Sequence, residues 1–344
     1  MDRYFGKAAK TALVLVYIVI AAGAIVRMTG SGMGCPDWPK CFGYYIPPTD
    51  ITELQWSADR EFKKGQVIIV DETLLVANKD FKTSSTYNQK NWQAYTKHKY
   101  ASFNPVHTWI EYINRLATIV LGIPMLLMLF LSFWWYRKDK IVTIVSLLTI
   151  IILGLQAVLG KLVVDTNLKP TMISVHMILA LIILFMLLFL IHRSSKEPRV
   201  LKYRKNLISL LIVAFVLTFI QIVMGIQVRQ FVDTQIDILG EEAKSLWLQN
   251  GTFQFYVHRS FSILVVLFNF YIAYRIYKYN LGYTKFKWVL LLIFGNIATG
   301  MAMSYLNFPF ASQPIHLVLA SLLIGVQFYL VLEAKKAKRS LKTL

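Results

Sequence analysis

The sequence predicts an all-α integral membrane protein of eight transmembrane helices, arranged as two pseudo-symmetric four-helix bundles with an external cap after helix 1. Three observations carry that expectation. Hydrophobic residues make up 56% of the 344 positions and charged ones only 16%, with a mean hydropathy of +0.52, whereas a soluble chain carries about a quarter charged residues. The apolar residues are gathered into eight runs, each long enough to cross a hydrocarbon core of ~30 Å as a helix. The runs also repeat their polar landmarks, in the same order, in the second half of the chain.

Taken in order, the runs are Thr11 to Met28, Thr108 to Phe133, Ile141 to Leu162, Thr171 to Ile191, Leu207 to Val228, Phe253 to Tyr277, Trp288 to Tyr305 and Pro314 to Leu332. The first lacks a small-residue cleavage site and runs into Arg27, so it is expected to stay as a helix rather than be removed as a signal peptide. No Arg-rich transit segment precedes it, and a bacterial inner membrane is therefore expected rather than an organelle.

The connections between runs set the orientation. Basic residues fall in every second one: Arg3, Lys7 and Lys10; Arg137, Lys138 and Lys140; Arg193, Lys196, Arg199, Lys202, Arg204 and Lys205; Arg275, Lys278, Lys285 and Lys287; and Lys335, Lys336, Lys338, Arg339 and Lys342. This alternation places both termini in the cytoplasm. The formal charge of +19 accordingly reads as topology-setting charge and not as a nucleic-acid surface, since the basic residues are scattered between apolar runs. The segment from about 29 to 104 also carries lysines, but loops beyond ~60 residues translocate largely regardless of charge. It is expected to form the external cap, with a strand over Gln66 to Val70 and Trp92, Tyr95 and Tyr100 as packing or interfacial aromatics.

The repeat is explicit. G-A-I-V-R (Gly23 to Arg27) ends the first run and G-I-Q-V-R (Gly225 to Arg229) the fifth. E-Y-I-N-R (Glu111 to Arg115) opens the second, and F-Y-V-H-R (Phe255 to Arg259) lies in the sixth. Gly154 and Gly160 bracket a polar position in the third run, as Gly295 and Gly300 do in the seventh. Pro170 and His176 open the fourth, Pro314 and His316 the eighth. The expected organisation is an N-terminal half, residues 1–200 including the cap, and a C-terminal half, residues 201–344, related by an axis along the membrane normal.

Aligning the halves sorts the histidines. His258 and His316 lie near the outer ends of helices six and eight, His176 has the equivalent place on helix four, and Asn114 stands where the second half has His258. An imidazole in lipid is costly unless it faces the bundle interior and finds a partner. Two imidazoles on facing helices of a four-helix unit are the arrangement that holds a haem iron at both axial positions. The alternative is a pair of packing histidines hydrogen-bonded across the bundle. His192, beside Arg193, reads as a solvated flank, and His98, in the cap, carries no assignment.

At these residues the chain resembles a known family. R-M-T-G-S-G-M-G-C-P-D-W-P-K-C (Arg27 to Cys41) is similar to the segment after helix one of the haem A synthases, and E-Y-I-N-R to their E-x-x-H-R motif on helix two. Q-A-V-L-G-K (Gln156 to Lys161), the histidine opening helix four, Y-V-H-R (Tyr256 to Arg259) and Q-P-I-H (Gln313 to His316) continue the match. The resemblance implies an oxidoreductase that converts the C8 methyl of haem O to the formyl group of haem A, with haem O synthase and the cytochrome oxidase assembly machinery as partners. It implies a haem b cofactor between His258 and His316, the substrate haem in the first half, and an essential Glu111.

One departure matters. The family's helix-two histidine is Asn114 here, and an amide is a poor iron ligand beside a neutral imidazole. Either His176 alone holds the substrate iron, leaving a position open, or His107 contributes. His107 lies seven residues before Asn114, within ~20° of the same helix face but ~10 Å further out, so rimming the helix entrance is the favoured reading for it.

Glu111 shares that stripe, one turn from both His107 and Asn114. A structural role in the first helical turn is available to it, while its place beside a haem pocket suits it to moving a proton. Arg27, Arg115, Arg229 and Arg259 recur across the halves, as partners of haem propionates or as interfacial anchors. Cys35 and Cys41 are the only cysteines; in an oxidising compartment they can form a disulfide, and the family precedent supports one, whereas a zinc site lacks a second ligand pair nearby. Gly30, Gly32 and Gly34 permit tight turns in this loop.

The resulting expectation is a haem A synthase, with haem sites toward the outer face and oligomeric state open. Its rivals are a non-catalytic bis-histidine transmembrane b-type cytochrome and a transporter or haem-delivery protein. Asn114 breaks the second bis-histidine site that a pure electron relay would use.

Overall fold

The computed structural model describes residues 2–96, 102–195, 201–204 and 206–340. Among them are eight helices long and apolar enough to span a membrane: α1 (Asp2–Met28), α2 (Pro105–Ser132), α3 (Lys140–Asp165), α4 (Pro170–Ser194), α5 (Leu207–Leu239), α6 (Phe253–Lys278), α7 (Phe286–Tyr305) and α8 (Ser312–Ser340). The chain is an all-α integral membrane protein with a β-containing insertion. Each expected run lies within one helix, apart from Phe133, which follows the end of α2 in a 3₁₀ turn. The helices overrun the apolar stretches where polar residues remain helical, α5 past Val228 to Leu239 and α8 into the basic tail. His98, Tyr100, Lys196, Arg199, Lys205 and Lys342 lie outside the described residues.

The described chain divides into two compact units. One comprises Met1–Ala21, Ile123–Ile152 and Leu179–Leu344, the other Ala22–Gly122 and Leu153–Ile178.

In the first unit α5 to α8 pack around a core at one end of the four helices. Leu207, Leu211 and Ala214 come from the start of α5, Ile272 from late α6, Phe286, Val289 and Ile293 from the start of α7, and Leu330, Val331 and Ala334 from late α8. Midway, Gln327 of α8 donates to Asn269 Oδ1 of α6 at 3.1 Å, and Asn269 donates to the Val265 carbonyl at 2.8 Å. Both side chains are buried, so the bond joins two helices where unpaired amides are costly. At the far end Val232, Trp247 and Phe308 form a small separate cluster. In the same unit the buried Ala8, Ala9 and Ala12 keep one face of α1 slim. Arg193 forks onto both carboxylate oxygens of Asp139, and Lys285 pairs with the buried Glu333.

The second unit contains the cap. Strand β2 (Val67–Val70) falls inside the expected Gln66 to Val70 stretch; it pairs antiparallel with β3 (Thr73–Ala77), which pairs with β5 (Trp92–Ala94). Strands β1 (Glu61–Phe62) and β4 (Phe81–Lys82) form a second antiparallel pair. The two-residue alternation along β2 and β3 serves two small cores. Val67, Leu74 and, less deeply, Ile69 and Val76 pack with Cys35, Cys41, Phe42 and Leu54. Ile68, Ala77 and, less deeply, Val70 and Leu75 pack with Phe62 and Trp92.

Candidate functional site

In the C-terminal helices two histidines are each seated against a glycine of the preceding helix. The His258 ring of α6 lies over Gly225 of α5, so close that a methyl group on that glycine would sit 3.1 Å from Cε1. One turn earlier on α5, Gln221 Nε2 donates to the His258 carbonyl at 2.9 Å. The His316 ring of α8 lies over Gly300 of α7, where a methyl group would sit 3.6 Å from Cε1. Thr299 Oγ1 is 2.9 Å from His316 Nδ1.

The same device recurs on α3 and α4. A methyl group on Gly160 would sit 3.5 Å from His176 Cε1, and Gln156 Nε2 donates to the His176 carbonyl at 3.0 Å. On α1 and α2, Gly23 faces Asn114, whose Oδ1 lies 3.8 Å from the glycine's vacant Cβ position. Asn114 Oδ1, His176 Nδ1 and His258 Nδ1 are buried without a hydrogen-bond partner. Of the glycine pairs noted in the sequence, Gly160 and Gly300 carry the ring contacts, whereas Gly295 abuts Leu319 and Gly154 meets nothing within 4 Å.

Sequence reasoning missed the polar partners. Gln156, Gln221 and Asn296 each stand four residues before the ring-bearing glycine, a spacing that puts amide and glycine on one helix face; the two glutamines reach the histidine carbonyls, while Asn296 donates back to the Leu292 carbonyl at 2.8 Å. That signal was present in the sequence, in Q-A-V-L-G, Q-I-V-M-G and N-I-A-T-G.

Glu111 is buried at 4% exposure and held on both oxygens. Oε2 accepts from the Cys35 amide at 2.9 Å, and Oε1 pairs with Arg115 one turn on. Arg115 also donates to the carbonyls of Asp37 at 2.7 Å, Lys40 at 2.9 Å and Cys35 at 3.4 Å. Cys35 and Cys41 form a disulfide that closes this loop. The loop lies directly on α2, for a methyl group on Gly34 would meet the His107 carbonyl at 2.5 Å. Of the three loop glycines only Gly30 takes a positive φ (64°); Gly34 is needed for close approach to the α2 backbone, while Gly32 faces the tip of the Leu168 side chain. Beside Arg115 the Asp37 carboxylate is pushed above its usual range by burial, partly offset by the amides of Gly43 and Phe42 and by Arg115 itself.

The remaining candidates are placed as follows. His107 sits in the first turn of α2, whose cap is Asn104 Oδ1 accepting from the His107 amide at 3.2 Å. The helix is regular from Pro105, so His107 stays a full two turns from Asn114. Arg27 Nη1 lies 3.4 Å from Met177 Sδ, next to His176. Arg229 is bound by Gln313 and, at 2.7 Å, by Asp233, while Arg259 is exposed.

Haem fits these residues. Among the described residues no hydrogen bond reaches Nε2 of His176, His258 or His316, and Nε2 is the atom a histidine commonly offers to iron.

The sequence model of the cytochrome oxidase assembly protein family matches residues 8–83 and 67–328. A haem A synthase of Shewanella oneidensis is 26% identical over 215 residues, covering 62% of this chain and 53% of that protein. One from Methylobacterium radiotolerans is 30% identical over 162 residues, 47% of this chain and 37% of its own length. One from a Jannaschia species is 24% identical over 343 residues, 90% of this chain and 83% of its own length. The chain thus spans about half the length, or less, of the first two relatives.

Proposed function

The chain belongs to the cytochrome oxidase assembly protein family, and from that premise we propose that it is a haem A synthase, oxidising the C8 methyl of haem O to the formyl group of haem A. The observation that carries this reading is the pair His258 and His316, each set over a helix glycine with Nε2 uncommitted. In this reading the two hold haem b, which supplies one-electron exchange when bound. His176, over Gly160, would hold the iron of the substrate haem, and Asn114, a poor iron ligand, would leave the position opposite it open.

Converting methyl to formyl with water as the oxygen source, R–CH3 + H2O → R–CHO + 4 H+ + 4 e−, sends the electrons to an external acceptor and releases protons in the pocket. Glu111 is the carboxylate assigned to receive them, and Arg115 and the Cys35 amide hold it in place. Arg27, Arg229 and the exposed Arg259 are assigned to the haem propionates, Arg115 being committed to the disulfide loop. The proposal places the protein in a bacterial inner membrane with both termini cytoplasmic and the haem sites toward the outer face. Haem O synthase and the oxidase assembly machinery are its partners. The two halves, residues 1–200 and 201–344, serve substrate and cofactor.

Expression with a source of haem O, followed by pigment extraction, tests it. Haem A is the expected product, and His258→Ala and His316→Ala should each abolish the tightly bound haem b spectrum. Unconverted haem O beside an intact bis-histidine spectrum would establish the electron-transfer cytochrome instead.

A further inference from the structure

The two histidines assigned to haem b differ in what holds their rings. His258 Nδ1 is buried without a hydrogen-bond partner, and the Gln221 carbonyl lies beside its ring. His316 Nδ1 instead meets Thr299 Oγ1 at 2.9 Å, with the Asn296 carbonyl beside the same ring. Thr299 has a further commitment. Its hydroxyl lies 2.9 Å from the Gly295 carbonyl and 3.1 Å from the Asn296 carbonyl of its own helix.

A threonine hydroxyl has one proton and two lone pairs. Both helix carbonyls are acceptors only, and a helical threonine commonly gives its proton to such a carbonyl as a back-bond. In that arrangement Oγ1 offers His316 a lone pair, and Nδ1 carries the hydrogen between them. A neutral imidazole protonated at Nδ1 has a bare Nε2. The opposite arrangement, with Thr299 donating to Nδ1, would put the ring proton on Nε2 and block it as a ligand.

We propose that Thr299 is a positioning residue that fixes His316 as the Nδ1–H tautomer and aims its free Nε2 at the iron. The inference rests on the reading of His316 as an axial ligand. Such an outer partner also raises the basicity of the ring, which favours ferric iron and holds the midpoint potential down. His258 lacks an equivalent side chain, so the two ligands are unequal and the dependence falls on the α8 side.

The test uses the purified protein with its bound haem. Thr299→Val keeps the shape and removes the hydroxyl; Thr299→Ser keeps the hydroxyl. Thr299→Val is expected to weaken haem binding about 10- to 100-fold and to move the midpoint potential positive, with Thr299→Ser restoring both. If the valine variant does not accumulate, Thr299→Ala removes the same hydroxyl with less bulk. Wild-type affinity and potential in a hydroxyl-free variant overturn the proposal, as does a serine variant as impaired as the valine. His316→Ala run in parallel separates the two levels. If it retains the bis-histidine spectrum, the axial assignment fails. If it loses the spectrum while Thr299→Val changes nothing, only the role of Thr299 fails.

Discussion

The space between Gly225 and His258 is the tightest of the ring contacts, and it sorts two substitutions that look alike in the sequence. Alanine at 225 would bring a methyl group to 3.1 Å from His258 Cε1, so ring or helix must give; at 300 the corresponding distance to His316 is 3.6 Å, an ordinary contact. Gly225→Ala should cost about 1–3 kcal/mol of overpacking and lower the haem-to-protein ratio. Gly300→Ala should keep the spectrum and unfold at the same temperature or higher, since alanine favours helix over glycine by about 1 kcal/mol. Thermal unfolding with absorbance detection reads both. At this scale the histidines were legible through the internal repeat. Their partners Gln221 and Gln156 carry a signal in their four-residue spacing from a glycine, whereas Thr299 was not legible, because that assignment needs the rotation of two helices about their axes, which apolar runs do not supply.

On α2 the Glu111 and Arg115 pair has the i,i+4 spacing that any helix makes into neighbours, and that much is visible in E-Y-I-N-R. Its target is not, since the carbonyls of Cys35, Asp37 and Lys40 are brought to Arg115 from more than seventy residues away in the chain. The element therefore does two things at once: it holds the disulfide loop and it presents a carboxylate. Glu111→Gln separates them. The amide oxygen can still accept from one of the two donors and Arg115 keeps its carbonyl partners in the loop, so the cap should stay folded with a lowered melting temperature, while proton transfer is lost and haem A formation should fall by about 10²- to 10⁴-fold. Product pigment measured beside the thermal melt checks this. Full activity in the folded variant would assign Glu111 to holding the loop alone.

Across the whole chain the eight helices were legible because a membrane span needs only length and hydropathy. The cap was legible only at β2, for its two small cores are built from residues scattered between Cys35 and Trp92. Orientation follows from the basic connections and is open to labelling. A cysteine replacing the exposed Lys79 of the cap should react with a membrane-impermeant maleimide in intact cells, and one replacing the exposed Arg137 only after permeabilisation. The reverse pattern would invert the proposed topology.

The α5 to α8 core is concentrated toward one end of these helices and reaches inward as far as Ile293 and Leu323, while His258 and His316 stand toward the other end. On the proposed function, apolar packing that does not involve haem joins the four helices away from the histidines, so the protein prepared without haem should still melt cooperatively as a bundle. Absence of a cooperative melt without haem would show that the helices assemble around the pigment instead.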